Sequence, residues 1–184
     1  TSLKTPVKEY SSDFESGADD WATVGFNVDK PTGFFNKGLH SSHPYTNGLG
    51  SLDPLTLGIN QPFEKSEIAL LRVPIILSAD SSNISFDEIV MVEPGEEGST
   101  FGSDSFFDYV VVEGSLDGNT WFPLQDGYDS RINKEWNTLY TSNMSSGTAA
   151  NSTYVPTQSN FAPRKISSYS LDFSSSEFAG QPLF

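Results

Sequence analysis

The stretch that most constrains the fold runs from Phe106 to Leu124 and reads FFDYVVVEGSLDGNTWFPL. Tyr109-Val110-Val111-Val112-Glu113 is rich in β-branched and aromatic residues, the types that suit a pleated surface. Ser115-Leu116-Asp117-Gly118-Asn119 follows as a turn, and Thr120-Trp121-Phe122 opens a second run. The Asp-Gly pair supplies the positive φ that a tight hairpin requires. A β-hairpin is therefore expected here.

The rest of the chain supports a fold of many short strands. Trp21-Ala22-Thr23-Val24-Gly25-Phe26 reads as an early strand, with Phe14 and Trp21 as core candidates. Between Pro31 and Pro62, Gly, Pro, Asn and Ser favour turns over long elements. Glu67 to Leu77 reads as two short strand pieces or one bulged strand, because Pro74 interrupts it. Asn83 to Val92 alternates well, with Ile84, Phe86, Glu88 and Val90 on one side; Glu88 is out of place on that apolar face. Arg131 to Leu139 has room for a single helical turn, and KISSYSLDF predicts a last strand within Arg164 to Phe173. The expected fold class is all-β, an antiparallel β-sandwich of jelly-roll type. Residues 1–12 read as a lead-in and 13–184 as a single domain, with a long Ser/Thr/Asn-rich excursion at 141–160.

Composition narrows the function. The 184 residues carry 24 Asp plus Glu against 10 Lys plus Arg, a net charge of −14. That field repels phosphate backbones, so nucleic acid is not an expected partner. No apolar run is long enough to span a bilayer, so membrane insertion is not expected either. There is no cysteine, which excludes disulfides and thiolate chemistry. The start at Thr1 and the end at Gln181-Pro182-Leu183-Phe184 suggest a segment of something longer.

Three stretches together carry a resemblance. Asp13-Phe14-Glu15-Ser16-Gly17 followed by Trp21 resembles the opening of bacterial cell-surface jelly-roll modules. Asp108 to Trp121 resembles their hairpin, a D-Y-x-x-V-E-x-S-x-D-G-x-x-W pattern. Leu71 to Leu77 followed by Ile84-Ser85-Phe86 resembles their boundary-strand and core-strand pair. The group comprises cleaved-adhesin modules, MAM-like modules and the accessory domain of immune inhibitor A-type metallopeptidases, which occur in large exported proteins, notably of Bacteroidetes. The resemblance covers residues 13 to 124 and lacks the D-D-[IV] ending of such modules. It implies a secreted or cell-surface location and neighbouring domains in a parent polypeptide. It also implies a structural Ca2+ that ties the opening strand to later ones, with Glu15 as a ligand. Asp13, Asp87 and Asp108, at strand ends, are its candidate companions, since calcium takes several oxygen ligands from loops.

Trp136, Tyr140, Tyr128 and Tyr45 lie in polar, turn-rich sequence, where exposed flat rings could stack on the apolar face of a sugar. The acidic loop from Glu93 to Asp104 reads as a charged surface loop guarding a sheet edge rather than a cation site. His40 and His43 read as ordinary loop histidines, because no further ligand completes a zinc set around them. Gly-x-Ser-x-Gly, His-Glu-x-x-His and the P-loop are absent. The expected function is a non-catalytic adhesion or carbohydrate-binding module, with a glycan or a protein surface as partner. A purely structural or docking module is the alternative, and a glycoside hydrolase a more distant one.

Overall fold

The computed structural model describes residues 2–41, 45–46, 66–78, 83–144, 151–152, 154–166 and 180–184. The strands are β1 (Trp21–Val24), β2 (Asn27–Asp29), β3 (Gly38–His40), β4 (Tyr45–Thr46), β5 (Ile68–Leu71) and β6 (Ile75–Ile76). They continue as β7 (Ile84–Glu88), β8 (Glu113–Gly114), β9 (Phe122–Pro123), β10 (Asn151–Ser152), β11 (Ala162–Ile166) and β12 (Pro182–Leu183). Among the described residues one α-helix, α1 (Lys134–Asn143), lies between β9 and β10. The strands pair antiparallel in twos: β1 with β5, β2 with β3, β4 with β10, β6 with β12, β7 with β11 and β8 with β9. The protein is mostly β, in small antiparallel sheets.

Pro74 splits the 67–77 run into two strand pieces. β5 ends at Leu71, and β6 begins only after Arg72-Val73-Pro74. β6 is flanked on both sides. Val7 of the lead-in bridges Ile75 in parallel, and the Ile76 amide donates to the Val7 carbonyl at 2.7 Å. On the other side β12 pairs Pro182 with Ile76 and Leu183 with Ile75. The lead-in is thus tied into the domain, as is the chain end, where Phe184 exchanges backbone hydrogen bonds with Ser115.

The Asp-Gly hairpin forms, with Glu113 opposite Pro123 and Gly114 opposite Phe122. Its regular strands are shorter than the sequence implied. Val110 and Tyr128 form an isolated bridge, and between it and β8–β9 the Leu124 amide donates to the Val112 carbonyl at 2.8 Å without forming a longer regular strand. Gly118 takes φ +73° in the turn. Asp117 organises the loop: its Oδ1 accepts from the Thr120 amide at 2.7 Å and the Asn119 amide at 2.8 Å. Ser115 Oγ donates to the same carboxylate. Those backbone donors, Thr120 first, hold the Asp117 carboxyl down at about 2.

Among the described residues two hydrophobic clusters form the core. Leu77, Leu124, Ile166 and Leu183 make the first, with Ile84, Phe86, Val112, Leu116 and Phe122 packed against them. Val90, Met91, Tyr128, Trp136, Tyr140 and Met144 make the second. Helix α1 supplies much of the latter and is longer than the single turn expected. Asn133 caps it by accepting from the Glu135 amide, and Trp136, Tyr140 and Met144 follow at four-residue spacing, which stacks them on one face. Phe14 and Trp21 are only half-buried. They pack on each other at 5.7 Å, apart from both clusters, and Phe14 has φ +61°, a costly conformation for a bulky residue.

The β7–β11 ribbon connects the clusters. Ile84 faces Ile166 at the first, and Glu88 faces Ala162 at the second. Between them Arg164 Nε donates to Glu88 Oε1 at 2.6 Å, and Tyr128 Oη donates to Glu88 Oε2 at 2.8 Å. The Arg164 guanidinium lies 4.0 Å from the Tyr128 ring centroid. Glu88 is therefore compatible with the inward face because its charge is fully engaged. Its side chain is 10% exposed and that of Arg164 14%.

Arg164→Met strands this carboxylate and should cost about 3 kcal/mol, whereas the double variant Glu88→Leu/Arg164→Met should recover most of the loss. Urea unfolding of the two variants checks this. Asp117 predicts a separate acid effect. A depressed carboxylate stabilises the fold above its ordinary value of 3.8, and that contribution disappears as pH falls through about 2. A carboxyl NMR titration should place the Asp117 midpoint near the lower value, and Asp117→Ala should flatten the acid limb of stability in that window.

Candidate functional site

The aromatics expected to form a sugar platform are largely core residues. Trp136 is 1% exposed, Tyr140 3% and Tyr128 6%. The Trp136 indole N–H donates to the Asn160 carbonyl at 2.7 Å, and the Tyr128 hydroxyl is spent on Glu88. Burial, then the charge and hydrogen bond of Glu88, push the Tyr128 phenol well above its ordinary range, against the opposing effect of Arg164. None of the three presents a stacking face. The polar sequence around them reflects the exposed side of α1 and its flanking loops, not the environment of the rings. Tyr45 lies in β4, and its side chain is outside the described residues, as is His43. His40 is half-buried and packs edge-on against Phe34, with ring centroids 5.0 Å apart.

The four carboxylates proposed for calcium are not gathered into one site. Among the described residues no three acidic or histidine side chains converge into a group that could hold an ion. Asp13 and Glu15 belong to the exposed opening turn, where Asp13 Oδ1 accepts from the Glu15 amide at 3.0 Å. Asp87 points outward from β7, opposite Pro163. Asp108 is half-buried beside Glu93, whose carbonyl accepts from the Asp108 amide at 3.3 Å. Glu15 nonetheless ties the opening segment to Lys37, the residue just before β3, a task like that expected of the ion. Its Oε1 accepts from the Lys37 amide at 2.7 Å, and its carbonyl accepts from the Lys37 ammonium.

The acidic loop is the most developed surface feature. Residues 93–96 run beside 105–108, joined by the Glu96 amide to the Ser105 carbonyl at 2.9 Å. Gly95 permits this close approach: a Cβ there would lie 2.6 Å from the Ser105 carbonyl oxygen and 2.9 Å from Phe106 Cα. Asp129, 3% exposed, accepts from the Gly95 amide at 3.1 Å and from Arg131 Nη2 at 2.7 Å. Burial alone would raise the Asp129 carboxyl, but Arg131 and the amides of Gly95 and Arg131 outweigh it and hold it below the usual range. Arg131 also donates to the Glu96 carbonyl at 2.6 Å and lies 5.2 Å from the Phe106 ring centroid. One guanidinium thus clamps the loop to the body of the domain.

The clamp leaves two aromatic side chains outside. Phe107 is 45% exposed and Tyr109 50%, while Phe106, Asp108 and Val110 alternate with them toward the protein. The Tyr109 ring is held edge-on by Phe101 at 5.0 Å and lies 6.2 Å from Phe106. Phe101 in turn sits against the backbone at Gly127, where a Cβ would meet its ring at 2.4 Å. Burial, followed by the neighbouring charge of Asp108, raises the Glu93 carboxyl. The site therefore combines braced aromatic rings with carboxylates, an arrangement that can stack on a ring or receive a cation. Sequence reading assigned Tyr109 to a strand and passed over Phe107. Alternation held the missed signal: Phe106-Phe107-Asp108-Tyr109 places aromatic rings on both faces, and only one face can be covered by this loop.

Gly95→Ala should lower stability by about 1–3 kcal/mol, because the new methyl meets the backbone of Ser105 and Phe106. Urea unfolding checks the loss, and proteolysis should then cut first within 93–108.

Compared with known proteins, the chain matches no family model, no curated protein and no solved structure.

Proposed function

We propose that the chain is a non-catalytic binding module, part of a larger exported or cell-surface protein, built as a β-sandwich of jelly-roll type. The two packed clusters joined by an antiparallel ribbon support the sandwich reading. Its ligand is a glycan or a protein surface, engaged through the loop at 93–109. The observation that carries the reading is the exposure of Phe107 and Tyr109 on a loop clamped by Arg131. Apolar rings held rigidly at a surface lose little freedom on binding, which favours recognition over catalysis. Calcium enters as an arm of the test, independent of the dispersed set Asp13, Glu15, Asp87 and Asp108.

The test is a panel of polysaccharides and immobilised peptides, probed with the protein in calcium and in EDTA, with a thermal melt of each sample. Saturable binding without turnover is expected, and it should weaken about fivefold or more in Phe107→Ser/Tyr109→Ser while the melt is preserved. A Tm that falls in EDTA shows a bound ion. Cleavage of any panel member, or binding that the double variant retains in full, overturns the reading.

A further inference from the structure

The loop that carries the exposed rings is also the most one-sidedly charged part of the chain. From Val73 to Ser130 the sequence contains no Lys, Arg or His. The loop contributes Glu93, Glu96, Glu97, Asp104 and Asp108 to that span. Glu96, Glu97 and Asp104 are exposed, and none of them forms an ion pair with a described residue. Exposed carboxylates around an apolar patch repel anionic surfaces and attract cationic ones.

The protein itself shows how such a combination is satisfied. Twice among the described residues it places an arginine against an aromatic ring and a carboxylate together. Arg164 lies over Tyr128 and pairs with Glu88, and Arg131 lies over Phe106 and pairs with Asp129. A guanidinium suits both partners, because its flat face meets the ring while its edge donates to the carboxylate. Tyr109 packs on the same Phe106 that Arg131 covers, yet its own ring is half-exposed and borders the acidic loop.

We propose that the acidic aromatic loop at 93–109 docks an arginine- or lysine-bearing segment of a partner protein, with Tyr109 and Phe107 receiving the side-chain stems and heads and Glu96, Glu97 and Asp104 supplying the counter-charge. This rests on the binding-module reading and narrows it to one class of partner. Neutral sugar rings would use the aromatic faces, and their hydroxyls would donate to the carboxylates, but the charge of the loop would stay uncompensated.

The experiment titrates the intact protein with a synthetic Arg/Lys-Gly-Ser peptide, a neutral peptide of the same length and a panel of neutral polysaccharides. The basic peptide should bind, and binding should weaken as salt is raised. Phe107→Ala/Tyr109→Ala should weaken it about fivefold to tenfold, as loss of two ring contacts to a cation implies. Glu96→Gln/Glu97→Gln/Asp104→Asn should weaken it comparably. Glu9→Gln/Asp19→Asn/Asp29→Asn removes the same formal charge outside the loop and should leave it nearly unchanged. Thermal melts establish that each variant is folded. An equal loss in the outside-loop variant, or full binding without the two rings, overturns the proposal. Tyr109-dependent binding of a neutral polysaccharide in place of the peptide overturns it too, while leaving the binding-module reading standing. If no probe depends on the loop, both fall.

Discussion

The contact between Glu88, Arg164 and Tyr128 is the constraint on which the arrangement depends. It brings residues far apart in the chain to the junction of two hydrophobic clusters. Both charges are largely withdrawn from water, so each is tolerable only while the other is in place. Such a pair adds little net stability over an apolar substitute. Its effect is on register: a one-residue slip of β11 against β7 would turn Arg164 away from Glu88 and leave both without a partner. The ribbon then fixes where the first cluster ends and where the helix-lined cluster begins.

The same chemistry recurs at the acidic loop. Asp129 and Arg131 lie close in sequence, so their pairing is local, but the loop they gather is not. The clamp turns a charged Gly/Ser segment into a shaped surface. Phe101 and Phe106 are folded against Gly127 and Arg131, and the alternation that buries Phe106 turns Phe107 and Tyr109 outward. Burial of one ring and exposure of its neighbour are two results of one packing choice.

Local patterns were legible where one residue enforces them. Gly118 takes the positive φ required by an Asp-Gly turn, Pro74 divides a run into β5 and β6, and Ile84 to Glu88 alternates as a half-buried strand does. Helix α1 was underread because its polar face dominates the composition, although Trp136, Tyr140 and Met144 already stand at helical spacing. The candidate site was less legible. Trp136, Tyr140 and Tyr128 sit among polar residues and are nonetheless core, whereas Tyr109 sits among Val and Phe and is half-exposed. Neighbours in sequence are a poor guide to burial when each element has two faces.

Alone, the sequence determined the β-rich character, the central hairpin, the break at Pro74 and the strongly acidic surface. Each follows from local stereochemistry or from a sum of charges, neither of which needs a partner. Only the tertiary structure decided which rings are covered, what neutralises Glu88, and where Glu15 finds its donor. Arg164 lies 76 residues from Glu88, and Lys37 lies 22 from Glu15. Those pairings are chosen by chain topology, because burying a charge or a ring depends on what the rest of the chain brings to it.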